Sequence, residues 1–346
     1  MRKNGWPPIL AAVAISLVST SCGNSEPSSM TEKTLFAYST AESVVVNDGP
    51  TEVVRHKTRM GSRSSPAFTS DSRFVSWVVE AAGSGLVNVL ATGNGELTTA
   101  RCRCDRVVAV ADGALAWLEK PTDTRLPEHV MRWNPAEETS APEIWRTLPV
   151  WSVPRTDEEY MARQSFLIDS FDDRLLLSGT AFARGDFSAS NLLFELAADG
   201  SIKQLGALDG MTAQVDGVYS PDGSSVLLYS NNDVDSSCVT ARIMTVDLIT
   251  ESRQHADPAF GGCASVKWVR WPTSGPVATV SDKATGYQQW QRRDAVWQSS
   301  TASVADTMTS PGVVVELSPT RELHLVREGE RTLLGKAVDT VTLAGA

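Results

Sequence analysis

Histidine is scarce in this chain of 346 residues: there are four, His56, His129, His255 and His324. They fall in different predicted sheets, and none has a second His or Cys at ligand spacing, so the sequence offers no imidazole-based metal pattern. Also missing are the Gly-x-Ser-x-Gly elbow, the His-Glu-x-x-His helix, the phosphate-binding loop and the dinucleotide glycine fingerprint. Basic side chains are the minority charge, 31 against 41 acidic, and no Lys/Arg stripe interleaves with aromatics. A surface of that sign repels phosphate backbones, which argues against nucleic acid as a partner. Long amphipathic helical patterns are wanting too. The single extended apolar run, Ile9 to Val18, is too short to span a bilayer.

That run follows Arg2 and Lys3 and leads into small residues, the layout of a cleaved export signal over residues 1–21. The stretch Ser19-Thr20-Ser21-Cys22-Gly23 resembles a bacterial lipobox, which implies lipid attachment at Cys22. Ser19 with Ser21 also suits an ordinary signal peptidase, so plain secretion is the alternative. Residues 22–33 then form a lipidated, Ser-rich tether with nothing to bury. Without Arg2 and Lys3 the charged side chains number 29 basic and 41 acidic, a formal charge of −12. Membrane contact is therefore expected through the N-terminal lipid, since an acidic body is not drawn to anionic head groups.

From residue 34 to 346 almost every segment reads as a short strand bounded by Gly, Pro, Asn or Asp. The clearest unit is Val218 to Ser230, VYSPDGSSVLLYS. Pro221 presets φ, Asp222 can bond its own backbone and Gly223 takes a positive φ, so two strands fold back as a hairpin. Looser copies occur at Ala67 to Trp77, Val107 to Leu118, Phe166 to Gly179, Val266 to Val280 and Ser303 to Leu317. A second hairpin follows each, as in Leu86 to Thr99 and Leu192 to Leu205. Lys120 to Glu128 and Thr180 to Ser190 are read as loop insertions. The irregular spacing, roughly 35 to 60 residues, lies around that of four-stranded propeller blades. Three strands over Thr34 to His56 are left over at one end and Val338 to Gly345 at the other. Together they make one blade, so the expectation is an all-β single propeller of about seven four-stranded blades, with six as the alternative, whose first blade is closed by the C-terminal strand.

The pattern at Val218 to Ser230 resembles the TolB-like, WD40-like propeller repeat of bacterial envelope proteins. The resemblance is strong over this one unit and rests on spacing elsewhere; SSPAFTSDSRFVSW keeps the Ser-Asp without the Gly. It implies an envelope propeller that binds proteins or ligands on one face of the ring, and it brings no catalytic residues.

Four cysteines remain once Cys22 is set aside. Cys238 and Cys263 fall in connections on the same face of the ring, one entering a third strand and one entering the next inner strand, so a disulfide between them is expected. Cys102 and Cys104 lie too far round to reach either, and pair with each other or stay reduced. Asn231, Asp233 and Asp235 alternate as three oxygen donors and are the best calcium candidate. Ser236 stands where the sharp-turn Gly belongs and Arg242 where the bidentate Glu belongs, so a polar loop between strands is the plainer reading. Asp172 and Asp173 sit at the turn position rather than as an acid/base pair. Trp77 and Trp117 occupy matching second-strand positions, where packing between blades accounts for them. Trp268 and Trp271 should point to opposite faces. Trp133, Trp145 and Trp151 are expected to be partly exposed, a candidate aromatic ligand surface.

These readings give a noncatalytic extracytoplasmic lipoprotein propeller, monomeric and without a cofactor, that binds an envelope protein or extracellular ligand. The alternative is a propeller enzyme, a glycan or peptide hydrolase or lyase, with its site at the mouth of the central channel. Residues converging there from several blades leave no sequential motif.

Overall fold

A computed structural model describes residues 34–344 except 59–64, 82–83, 124–125, 138–139, 150–159, 184–188, 212–213, 236–237, 257–262, 283–285, 294–295, 301–303 and 311. Strands β1 (Leu35–Thr40), β2 (Ser43–Asp48) and β3 (Thr51–Lys57) form the first unit with the last strand, β28 (Val338–Leu343), at its inner edge. The second unit is β4 (Ala67–Phe68), β5 (Phe74–Ala81), β6 (Ser84–Ala91) and β7 (Leu97–Cys102). The third is β8 (Val107–Ala109), β9 (Leu115–Glu119), β10 (His129–Trp133) and β11 (Glu143–Thr147). The fourth is β12 (Tyr160–Phe171), β13 (Arg174–Ala183), β14 (Ala189–Leu196) and β15 (Ile202–Ala207). The fifth and sixth, β16 (Val215–Tyr219), β17 (Ser225–Asp235), β18 (Cys238–Asp247), β19 (Arg253–Ala256) and β20 (Ala264–Arg270), β21 (Val277–Asp282), β22 (Gly286–Arg293), β23 (Val296–Ser300), share one eight-stranded sheet. The seventh is β24 (Asp306–Ser310), β25 (Val313–Leu317), β26 (Leu323–Arg327) and β27 (Glu330–Gly335).

Within each unit neighbouring strands are antiparallel. The fifth and sixth units are joined by a single parallel pairing, Thr240 with Ala264. Both ends of the described chain meet in one sheet, where β28 pairs β1 from Phe36 opposite Leu343 to Thr40 opposite Val338.

Turn chemistry explains the hairpins. In the fifth unit Ser220 and Ser225 exchange backbone and hydroxyl bonds: Ser220 N–H donates to the Ser225 carbonyl at 2.8 Å and Ser225 N–H to Ser220 Oγ at 2.9 Å. Asp222 accepts from the Ser220 hydroxyl at 2.7 Å and from Ser224 N–H at 3.0 Å. The second unit repeats this wiring with Thr69 for Ser220 and Asp71 for Asp222: Phe74 N–H donates to Thr69 Oγ1 at 3.1 Å and Thr69 Oγ1 to Asp71 at 2.6 Å. Ser72 takes the positive φ of 59° that Gly223, at 66°, takes in the fifth unit. The Ser/Thr and Asp therefore carry the turn and the glycine is dispensable in one copy.

Six buried apolar clusters each join consecutive units, which is what apolar faces on both sides of a sheet require. Ala37, Val44 and Val46 meet Val75, Trp77 and Leu90 between the first and second units. Trp117 packs with Val78 and Val87 between the second and third. Leu118 and Val130 meet Leu175 and Phe194 between the third and fourth, Leu176 and Leu193 meet Val226 and Met244 between the fourth and fifth, and Leu227 and Ile243 meet Ala264 and Val280 between the fifth and sixth. Val313, Val315 and Leu325 of the seventh unit meet Phe36, Tyr38 and Val341 of the first.

Two loop expectations are corrected. Residues 180–183 and 189–190 are strand, with β13 and β14 paired out to Phe182 opposite Ala189. Asn231 to Asp235 likewise continue β17 against β18 rather than forming a polar loop. In both cases a partner strand of equal length satisfies the polar backbone, which side-chain polarity alone does not reveal.

Candidate functional site

The innermost strands bring together charged side chains that lie far apart in the chain. Arg106, just ahead of β8 in the third unit, reaches two units onward: Nη1 and Nη2 donate to Asp216 Oδ1 and Oδ2 on β16 at 2.6 and 2.5 Å, and Nη1 also donates to the carbonyl of Ile168 on β12. One guanidinium thus ties the inner strands of three consecutive units. Burial works against its charge and the Asp216 carboxylate outweighs that, so the Arg106 guanidinium is held above its ordinary range. The hydroxyl of Tyr229 faces Asp216 Oδ2 at 3.5 Å, and burial pushes its ionisation up.

Arg270, the last residue of β20, repeats the device. Its Nε and Nη2 donate to Asp306 Oδ1 and Oδ2 on β24 at 2.7 and 2.5 Å, and Nη2 donates to the Val341 carbonyl on β28 at 3.0 Å. This arginine spans the sixth, seventh and first units. Asp306 is 3% exposed, so the pair is largely desolvated.

Asp169 stands beside the first of these locks. It is half-buried on β12 and accepts the Tyr219 backbone N–H at 2.8 Å. Burial raises its pKa to about 6, against the lowering effect of that bond, of Ser170 N–H and of Arg106. Neighbouring Ser170 Oγ donates to the Ala109 carbonyl of the third unit at 2.5 Å.

The residues singled out from the sequence are dispersed. Cys22 lies outside the described residues. Cys238 is bonded to Cys263, and Cys102 to Cys104. Asn231 is turned toward β20, where its amide bonds the Val266 backbone twice; the side chains of Asp233 and Asp235 lie outside the described residues. Among the described residues no three His, Cys, Asp or Glu side chains gather as metal ligands. Asp172 has a turn φ of 51°, and Asp173 faces Arg132 at 3.8 Å. Trp77 and Trp117 are fully buried between units. Trp268 packs toward the seventh and first units and Trp271 toward the fifth, on opposite sides of their sheet. Trp133 is 4% exposed, which overturns the expectation of an exposed ring; it is drawn into the cluster around Trp117, with Nε1 donating to the Ser140 carbonyl at 3.3 Å. Trp145 is half-buried with the guanidiniums of Arg132 and Arg146 each 5.3 Å from its ring, and Trp151 lies outside the described residues.

Sequence reading missed Arg106, Asp169, Asp216, Arg270 and Asp306. Their one visible signal is a charged residue on or beside an inner strand; partners 36 and 110 residues apart leave no motif.

No family model and no curated protein matches the sequence. Solved structures do. TolB from Acinetobacter baumannii is similar at 11% identity and a TM-score of 0.46, over 90% of this chain and 66% of its own. A protein from Lactobacillus plantarum is similar at 14% identity and a TM-score of 0.53, over 90% of this chain and 99% of its own. A periplasmic gluconolactonase from Pseudomonas aeruginosa is similar at 12% identity and a TM-score of 0.50, again over 90% and 99%. At such identities the likeness speaks for fold alone: four-stranded antiparallel units packed face to face along the chain are those of a β-propeller.

Proposed function

We propose that the chain is a noncatalytic extracytoplasmic propeller, anchored by lipid at Cys22, that binds an envelope protein or extracellular ligand. Its seven units close as a ring, a reading supported by the pairing of β28 with β1 and by the cluster linking the seventh unit to the first. Two disulfides are in keeping with an oxidising compartment. No helix among the described residues is long and apolar enough to cross a membrane.

The observation that carries the binding reading is the commitment of the inner-strand charges to one another. Arg106 with Asp216, and Arg270 with Asp306, are bidentate pairs that fasten strands, so the hydrogen-bonding capacity of these carboxylates is spent within the fold. One observation favours the enzyme reading instead: Asp169, with its pKa near 6 among inner strands, has the value a general acid or base needs.

Affinity capture of the full-length chain from cross-linked, detergent-solubilised membranes tests the proposal. Recovery of one stoichiometric partner is expected. Absence of any such partner, with a hydrolytic activity in the purified chain that Asp169→Asn abolishes, replaces binding with catalysis. Mass spectrometry of the mature N-terminus tests the anchor, and an unmodified Cys22 removes it.

A further inference from the structure

The sixth and seventh units meet differently from the other neighbouring pairs. Among the described residues no cluster of fully buried apolar side chains is shared between them; the sixth unit contributes the half-buried Trp268, packed against the cluster of the seventh and first. The strand registers show why. In the sixth unit Ala278, Val280 and Trp290 turn toward the fifth. On the opposite face Trp268 pairs across from Thr279 and Thr279 from Gln289, while Ser281 pairs with Tyr287 and Val277 with Gln291. The seventh unit alternates in the same way. Met308, Val313, Val315, Leu323 and Leu325 are buried toward the first unit, and between them Thr307, Val314, Glu316, His324 and Val326 are half-buried toward the sixth.

The two facing surfaces therefore mix hydroxyls and amides with Val277, Val314 and Val326 and with two stacked rings, Trp268 and Tyr287, whose centroids are 6.0 Å apart and whose planes are inclined by 24°. A sheet interface packed for stability alone buries such faces, as the other six do. Here Trp268, Tyr287, Gln289, Gln291, Glu316 and His324 all keep partial access to solvent. Charge at the seam is already neutralised: Glu316 faces Arg331 at 3.4 Å, and Asp306 with Arg270 closes its inner end. His324 Nδ1 is buried without a hydrogen-bond partner among the described residues.

We propose that this seam binds a neutral oligosaccharide. A pyranose ring presents C–H faces to an aromatic platform and hydroxyl edges to amides and hydroxyls, which is the set of groups found there. An ionic ligand would find its opposite charges occupied. The inference rests on the reading of the chain as a binder of extracellular ligands and names one ligand class and its place.

The test is titration of the full chain with maltohexaose, cellohexaose and chitohexaose to about 10 mM each, read by tryptophan fluorescence and calorimetry. At least one is expected to saturate with a dissociation constant of about 1 mM or tighter. Tyr287→Ala and Gln289→Ala should each weaken it about tenfold. Trp145→Ala, on the third unit, should leave it unchanged. Both seam positions are half-buried, and unchanged melting of the variants separates lost binding from lost fold. No saturation with any of the three sugars overturns the seam, and so does wild-type affinity in both seam variants. A stoichiometric membrane partner recovered alongside failed titrations would sink the sugar site and leave the broader binding reading standing.

Discussion

Asn231 and Val266 exchange two hydrogen bonds: Nδ2 donates to the Val266 carbonyl at 2.9 Å, and Val266 N–H donates to Oδ1 at 2.8 Å. The side-chain amide imitates a peptide unit and extends the contact between β17 and β20 where the parallel pairing is limited to Thr240 and Ala264. Replacement by Ala strands both Val266 groups, at about 1–3 kcal/mol for each one left dry. Asn231→Ala should therefore lower the urea midpoint clearly. Asn231→Asp, which keeps the acceptor but sets a carboxylate against a carbonyl, should do so as well. A midpoint within error of wild type in both variants would show that water replaces the amide.

The same junction holds the Cys238–Cys263 bridge, whose ends are 25 residues apart. Closing such a loop restricts the unfolded chain by about 3 kcal/mol in the entropy model. The Cys238→Ser, Cys263→Ser double variant should lose stability of that order, and nonreducing peptide mapping should find Cys238 linked to Cys263. A peptide joining Cys238 to Cys102 or Cys104 would refute the arrangement of the fifth and sixth units.

Asp306 is almost fully buried and bound to Arg270 through two bonds. Asp306→Asn should cost about 3–5 kcal/mol, because the guanidinium is left without its counter-charge. Arg270→Met with Asp306→Leu should recover most of this, since an apolar pair needs no compensation. Equal losses in the single and double variants, measured by urea unfolding, would mean that the bond from Arg270 to Val341 is what matters.

Deletion of residues 338–346 removes β28, and with it buried Val338, Val341 and Leu343 and the acceptor for Arg270. It also leaves β1 as an unpaired edge. The truncated chain should aggregate or melt far below the full chain. Equal melting temperatures would contradict the role given to this strand.

Strand order and hairpin positions were legible because each rests on local rules: alternation of apolar residues and the Ser/Thr-x-Asp turn, recognisable even where Ser72 replaces glycine. The inner-strand locks were not legible. Arg106 and Asp216 meet only through the curvature that stacks β8, β12 and β16, and nothing around either residue announces the other. Trp133 was misread for a related reason. A tryptophan at the end of a polar strand reads as exposed until the neighbouring unit supplies the cover over Trp117.

Asp169 makes stability depend on pH in an unusual direction. Burial raises its pKa from 3.8 to about 6 in the folded chain, so between those values the folded state binds more protons than the unfolded one. Stability from this group is then fully present below about pH 4 and is lost as pH rises toward 6, the reverse of a salt-bridged carboxylate. The groups facing it are Arg106, Asp216 and the backbone N–H groups of Tyr219 and Ser170. A shift of this size corresponds to something on the order of 2–3 kcal/mol. Asp169→Asn keeps an acceptor for Tyr219 N–H and removes the ionisation. Urea unfolding from pH 4 to 8 should show the variant gaining on the wild type as pH rises and exceeding it near pH 7.5. A stability difference between the two chains that stays constant with pH would mean that Asp169 titrates as an ordinary exposed carboxylate, and the enzyme reading that rests on its raised pKa would fall with it.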